Sequence, residues 1–231
     1  MKRFTLTYIW AFIFLLGGMA YTSCTHDDDI APSAGPKVDF GTSVVTAGEN
    51  KWKLDKSHSS VLWETAYLGQ SGLLTGRFNN FAVVSMKFDE SNPENTSFEG
   101  YVQLNTVNTG EPGRDAGCLL GTFGTRKINE IEPTDPSNLA TLKSKKVEKS
   151  KTDKSYIVTF DMTFMGRTKE YTGKLNYVPV ANIPAAGTAA TYDVFGLQLE
   201  YQFFAKTDFG IVSSNIADKV GITLNMNFNN K

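Results

Sequence analysis

The chain has 231 residues, 20% of them charged, and a formal net charge of −1 at neutral pH. That balance excludes the broad basic face a nucleic-acid partner needs, and with two histidines in all, His26 and His58, a His-rich metal site is excluded too. The length suits one domain with a sizeable core.

Residues 1–23 read as a leader. Lys2 and Arg3 form a short cationic start, and the run Ile9-Trp10-Ala11-Phe12-Ile13-Phe14-Leu15-Leu16 is apolar with no polar face. It is shorter than the ~20 apolar residues of a membrane-crossing helix and suits a signal peptide. Tyr21-Thr22-Ser23-Cys24 resembles a lipobox, with Tyr21 where an aliphatic residue is usual. Cys24 is therefore expected to be alkylated by diacylglycerol and to become the new N-terminus; ordinary cleavage just before it is the alternative. Each acyl CH₂ buried in a bilayer contributes about 0.8 kcal/mol, so lipidation implies a firm membrane anchor. The expected location is the cell envelope, as an outer-membrane lipoprotein facing the periplasm or the cell surface. Lipidation at Cys24 would also leave Cys118 without an intramolecular disulfide partner.

Residues 24–50 are rich in Asp, Ala, Pro, Ser and Gly and read as a flexible tether. Within it, Thr25-His26-Asp27-Asp28-Asp29 has two open readings. One is a solvated acidic linker; the other, since it follows Cys24, is a stretch that resembles the export signal of surface lipoproteins in some Gram-negative bacteria.

From residue 51 to 231 the pattern has period two, a strand signal. Val61, Trp63, Thr65 and Tyr67 alternate with Leu62, Glu64, Ala66 and Leu68, and Tyr156, Val158, Phe160, Met162 and Phe164 share one face. Phe195, Leu197, Leu199, Tyr201 and Phe203 share another, and Val220, Ile222, Leu224, Met226 and Phe228 alternate with small or polar residues. Turn chemistry separates the runs at Ser91-Asn92-Pro93, Gly110-Glu111-Pro112-Gly113, Thr134-Asp135-Pro136 and Pro184-Ala185-Ala186-Gly187. Short helical pieces are expected around Leu119 to Thr125 and Ser214 to Asp218. Many amphipathic strands give an all-β fold, either a barrel or a sandwich by pattern alone. Trp52 precedes the first strong strand and is expected near the rim or exposed, whereas Trp63 is expected to point inward.

The polar candidates each have a bland reading. Neighbouring residues on a strand point to opposite faces, so His58 and Ser59 do not make a nucleophile–base pair there; a hydrogen bond from His58 to backbone at the barrel end is the usual role. Arg114 could grip an anionic head group through its guanidinium fork, or form an ion pair with Asp115 that holds the loop. Cys118, beside Leu119 and Leu120, is expected to be a small buried hydrophobe rather than a reactive thiol. The charge run from Lys143 to Lys154 reads as two solvated strand ends and their hairpin, with weak attraction to anionic lipid as the alternative.

Asp55-Lys56-Ser57-His58-Ser59-Ser60-Val61-Leu62-Trp63 resembles the opening strand of the YceI-like family. Gly76-Arg77-Phe78 with Phe81, Asn105-Thr106, Thr109-Gly110, Arg114-Asp115-Ala116, Phe123, Met165-Gly166-Arg167-Thr168-Lys169 and Asp208-Phe209-Gly210-Ile211 follow in the family's order. The resemblance implies an elongated, lipocalin-like antiparallel barrel, periplasmic or extracellular, whose tunnel holds a long-chain isoprenoid, a quinone tail or another amphiphilic lipid. It implies a lipid-binding wall of Trp63, Tyr67, Phe78, Phe81, Phe123, Phe164 and Phe209. The head-group candidates are His58, Arg114 and Asp115. Tyr67 and Gly117 stand where the family often has histidines, so the polar contacts at the mouth differ here.

Non-enzymatic carriage or storage of a lipid leads, with no other cofactor expected. A cell-surface interaction module with a side-chain-filled barrel, binding a glycan or a protein, is the alternative. An enzyme using His58, Cys118 or Asp115 ranks below both, since there is no paired His, no metal cluster and no Gly-rich phosphate loop. The oligomeric state is open, a homodimer included.

Overall fold

Alternation along the chain becomes antiparallel pairing in the computed structural model, which describes residues 44–47, 50–67, 72–89, 91–213 and 216–231. The leader, Cys24 and most of the expected tether lie outside the described residues. The strands are β1 (Val44–Ala47), β2 (Asn50–Leu54), β3 (Ser60–Tyr67), β4 (Gly72–Phe78), β5 (Phe81–Lys87) and β6 (Ser97–Gln103). They continue with β7 (Val107–Asn108), β8 (Leu139–Lys149), β9 (Tyr156–Phe164), β10 (Arg167–Pro184), β11 (Thr191–Phe204) and β12 (Ile216–Asn229). All belong to one strongly curled sheet with the order β5-β6-β8-β9-β10-β11-β12-β3-β4-β7, and β2 joins through β12.

The two ends of that order meet at a seam. β4 runs on into β5 through Asn79 and Asn80, while β6 runs on into β7 through the 3₁₀ turn Leu104–Thr106. Phe78 pairs with Val107 on one side of this junction and Phe81 with Val102 on the other. Between them Asn79 N donates to Thr106 O and Gln103 N to Asn80 O, both at 2.9 Å.

Buried amide and hydroxyl side chains fasten the seam to the loop that follows. Asn80 Nδ2 donates to Gln103 Oε1 (2.7 Å), and Gln103 Nε2 donates to Asn105 Oδ1 (2.8 Å). Asn138 Oδ1 then accepts from Asn105 N (3.2 Å) and Thr125 Oγ1 (2.7 Å). Gln103 and Asn138 are wholly buried, so these pairs satisfy groups that would otherwise be costly to desolvate.

Several expectations change. Val44–Ala47, inside the expected tether, is a strand, paired antiparallel with β2. Trp52 is 3% exposed rather than at the rim, because β2 lies against β12 and the indole packs edge-on to Phe195 at 4.7 Å. Helical structure does occupy the Leu119 region, but it starts earlier, as Pro112–Arg114, the π turn Asp115–Leu119 and Leu120–Thr122. That winding buries Leu119 and Leu120 and leaves Cys118 exposed, against the expectation of a buried thiol.

No helix covers Ile216–Asp218, which open β12; Ser214 lies outside the described residues. The helix forms instead at Ala205–Phe209. Asp218 accepts from Lys206 N (2.6 Å) and Thr207 N (3.3 Å), and Gly210, at φ 73°, ends the turn in the left-handed region. The Lys143 to Lys154 run was expected to span two strand ends and their hairpin; it covers the second half of β8 and the connection after it, and stops short of β9, which begins at Tyr156.

Candidate functional site

Because successive strand residues face opposite sides, one face of every long strand turns into the curl. Trp63, Phe164, Leu199 and Ile222 come from four different strands and are all buried in one continuous hydrophobic core. Among the described residues no buried side chain is charged. The walls leave a cavity of about 150 Å³. Apolar cavities of this size stay dry and accept a molecule as large as benzene.

Aromatic packing bounds the interior. Phe88, Phe195 and Phe228 form a stack with centroid separations of 4.3 and 4.8 Å, covered by Trp52. A second cluster joins Phe209 to Phe164 (5.2 Å) and Phe203 (5.5 Å), held by the Ala205–Phe209 helix. Between the two, Trp63 lies over Gly76, its cross-strand partner, and meets Phe123 edge-on at 6.2 Å. A Cβ on Gly76 would fall 2.6 Å from the indole, so the ring takes the space a side chain would fill.

The interior holds few polar groups. Thr65 Oγ1 is spent on the Lys219 carbonyl at 2.9 Å. Tyr171 donates to Asp208 Oδ2 at 2.7 Å; burial, then the Asp208 hydrogen bond and charge, push its phenol well above the usual tyrosine range. Tyr201 donates to the Met162 thioether at 3.2 Å, and burial raises its phenol pKa as well. The Trp63 Nε1–H is buried with no hydrogen-bond partner.

Of the seven residues named for the wall, Trp63, Phe78, Phe81, Phe123 and Phe164 line the cavity. Phe209 does not reach it and packs behind Phe164 and Phe203. Tyr67, at the far end of β3, is 38% exposed and off the cavity, because the curl no longer covers that end of the strand. The three head-group candidates are occupied or turned outward. His58 Nδ1 and Asp55 Oδ2 are 2.8 Å apart on the exposed turn Lys56–His58, and the His58 carbonyl accepts from Asn227 Nδ2. Asp115 accepts from Thr109 N (3.0 Å) and Thr109 Oγ1 (2.6 Å), which fixes the loop, and Arg114 is exposed. The loop is held by Asp115 and Thr109 rather than by an Arg114–Asp115 ion pair.

Tyr201 was not foreseen as a site residue, although it shares the apolar face of Leu199 and Phe203; its hydroxyl distinguishes it only once that face is seen to border a cavity. Among the described residues no cluster of His, Cys, Asp or Glu is placed to hold a metal ion, and no helix is long and apolar enough to cross a membrane.

The match to a known family spans nearly all of this sheet: residues 52–228 fit the model of the YceI-like domain. The chain belongs to the YceI-like family. No curated protein sequence matches it. Among solved structures it is similar to BcnA of Burkholderia cenocepacia, at 19% identity and TM-score 0.51, over 75% of this chain and 98% of that one. It is similar to a Campylobacter jejuni YceI protein at 20% identity and TM-score 0.53, over 68% and 85% of the two chains. A polyisoprenoid binding domain from Saccharophagus degradans shares 14% identity with TM-score 0.50, over 79% of this chain and all of that one. These likenesses establish the YceI fold, a curled all-β antiparallel sheet with a few short helices.

Proposed function

We propose that this YceI-like domain binds, without chemical turnover, one long-chain isoprenoid or similar amphiphile inside the curled sheet, as part of a lipid-anchored envelope protein. The observation that carries the reading is the largely apolar wall of the cavity, on which the half-buried Glu99 is the one charged residue among the described residues and no charged side chain is fully buried. Such a wall suits a tail, since each CH₂ removed from water contributes about 0.8 kcal/mol and needs no polar partner. The family and the Saccharophagus degradans domain, described as polyisoprenoid-binding, support the same ligand class.

The test is mass spectrometry of an organic extract from the purified full chain. A long-chain amphiphile at about one per protein is expected. A protein that is empty as isolated, and that also takes up no added polyprenol, overturns the proposal and favours the surface interaction module.

The anchor is tested apart from the ligand. Cys24→Ala should move the protein to the soluble fraction and abolish labelling by a radioactive fatty acid. A wild-type protein that is never labelled would sink the lipoprotein reading and leave the cavity untouched by the result.

A further inference from the structure

Two hydrogen-bond donors on the cavity wall are unspent or nearly so. Trp63 Nε1 is the buried side-chain nitrogen left without a partner among the described residues, although the residue is only 6% exposed. The Tyr201 hydroxyl meets a thioether sulfur, a weak acceptor. Both residues border the same cavity.

Their places in the sheet are related. Trp63 of β3 pairs with Ile222 of β12, and Ile222 pairs with Tyr201 of β11. Directly paired residues share a face, so the two aromatic rings stand in one inward-facing row, separated by a single strand. Neighbouring strands are about 4.8 Å apart, so the rings rise from strands about 10 Å apart on a concave wall. Glycines open the row at both sides. A Cβ on Gly76 would lie 2.6 Å from the Trp63 indole, and a Cβ on Gly173 would lie 3.2 Å from the Tyr201 Cβ.

A buried N–H without a partner is costly and therefore uncommon. A ligand atom that accepts from it removes that penalty. We infer that Trp63 and Tyr201 form an internal donor pair that receives an acceptor oxygen of carbonyl type, borne by the amphiphile and held inside the sheet rather than at its mouth. A carbonyl oxygen has two lone pairs, one for each donor. Burial keeps the Tyr201 phenol protonated through the physiological range, so it remains a donor there. The contact would select oxygen-bearing chains over plain hydrocarbons, and it would need nothing from His58, Arg114 or Asp115, which are exposed or already hydrogen-bonded.

The inference rests on the proposed lipid function, and its test separates the two. A medium-chain methyl ketone and the n-alkane of equal length are titrated into delipidated full chain, with wild type, Trp63→Phe and Tyr201→Phe compared. Wild type should prefer the ketone, and each variant should lose roughly 3- to 10-fold of that preference, the range for one neutral hydrogen bond. Alkane affinity should change much less. The bound ketone's C=O stretch should move to lower frequency in wild type and partly return in each variant, and the Trp63 indole N–H resonance should shift downfield with ketone but not with alkane. These two spectroscopic readings on wild type hold even if a variant folds poorly. Equal binding of ketone and alkane with no carbonyl or indole shift overturns the donor pair while leaving lipid binding intact. Binding of neither probe, nor of a polyprenol, overturns the lipid function itself.

Discussion

Gly76 has no Cβ, and that absence sets how closely the Trp63 indole can lie against β4. Gly76→Ala would place a carbon 2.6 Å from the ring, a distance that backbone or indole must relieve by moving. Overpacking of this kind costs about 1–3 kcal/mol, so the urea midpoint should fall with little change in slope. An unchanged midpoint would mean that the indole has room to swing away. At the surface, Asp153 makes a different kind of prediction. It accepts from Ser155 N (2.9 Å), the Ser155 hydroxyl and Lys174 Nζ (2.9 Å), and the Ser155 and Lys174 hydrogen bonds hold its carboxyl well below the usual carboxylate range. A depressed folded-state pKa contributes stability above the unfolded-state value and loses it as pH falls through the folded one. An NMR titration should therefore find Asp153 still ionised where ordinary aspartates are half protonated, and Lys174→Ala should raise its midpoint. A midpoint at the ordinary value would show that the β8–β9 connection is not held by this carboxylate.

The seam gives the clearest prediction at the scale of elements. Asn138 Oδ1 takes both Asn105 N and Thr125 Oγ1, so Asn138→Ala strands two donors in a site with no exposure. Each stranded donor costs roughly 1–3 kcal/mol. Asn138→Leu should be no better, because filling the volume supplies no acceptor. Chemical denaturation checks both, and a Leu variant as stable as wild type would contradict the account. This network was also what the sequence hid. The long strands were legible because one buried face repeats every second residue, as in β9 and β11. Asn80, Gln103, Asn105 and Asn138 look like turn residues in a list, since their worth comes from partners 23 to 33 positions away. Trp52 was misplaced for a related reason: β2 alternates but is only five residues long, and only its pairing with β12 carries the indole over Phe195. The apolar wall itself was largely legible, with five of the seven expected wall residues on the cavity and Tyr67 and Phe209 off it. The head-group residues were not, because whether a polar side chain is free or already spent depends on contacts that spacing does not reveal.

At the scale of the whole molecule, ligand size and cavity size disagree in an informative way. A space of about 150 Å³ suits a benzene-sized body, roughly one isoprene unit, whereas a polyprenyl chain has several. Entry of a long chain therefore requires side chains to give way. Met86, Met162 and Met226 line the cavity and are unbranched and adaptable, while the Phe88–Phe195–Phe228 stack is packed face to face and resists displacement. The room should open first along the methionines. Binding that waits on such rearrangement is slower than simple docking. In stopped-flow mixing with delipidated full chain, a one-unit prenyl alcohol should associate fast, and a long polyprenol at least about tenfold more slowly, with a rate that levels off as its concentration rises. With free long chain a hundredfold above its Kd, the fold should be stabilised by about 2.7 kcal/mol relative to the delipidated protein. Replacing Met162 by the stiffer Ile should slow the long chain further and leave the short alcohol nearly unchanged. If both alcohols instead bind at the same rate with no plateau, the tail does not open the interior on entry, and the long chain must lie on an outer surface of the sheet.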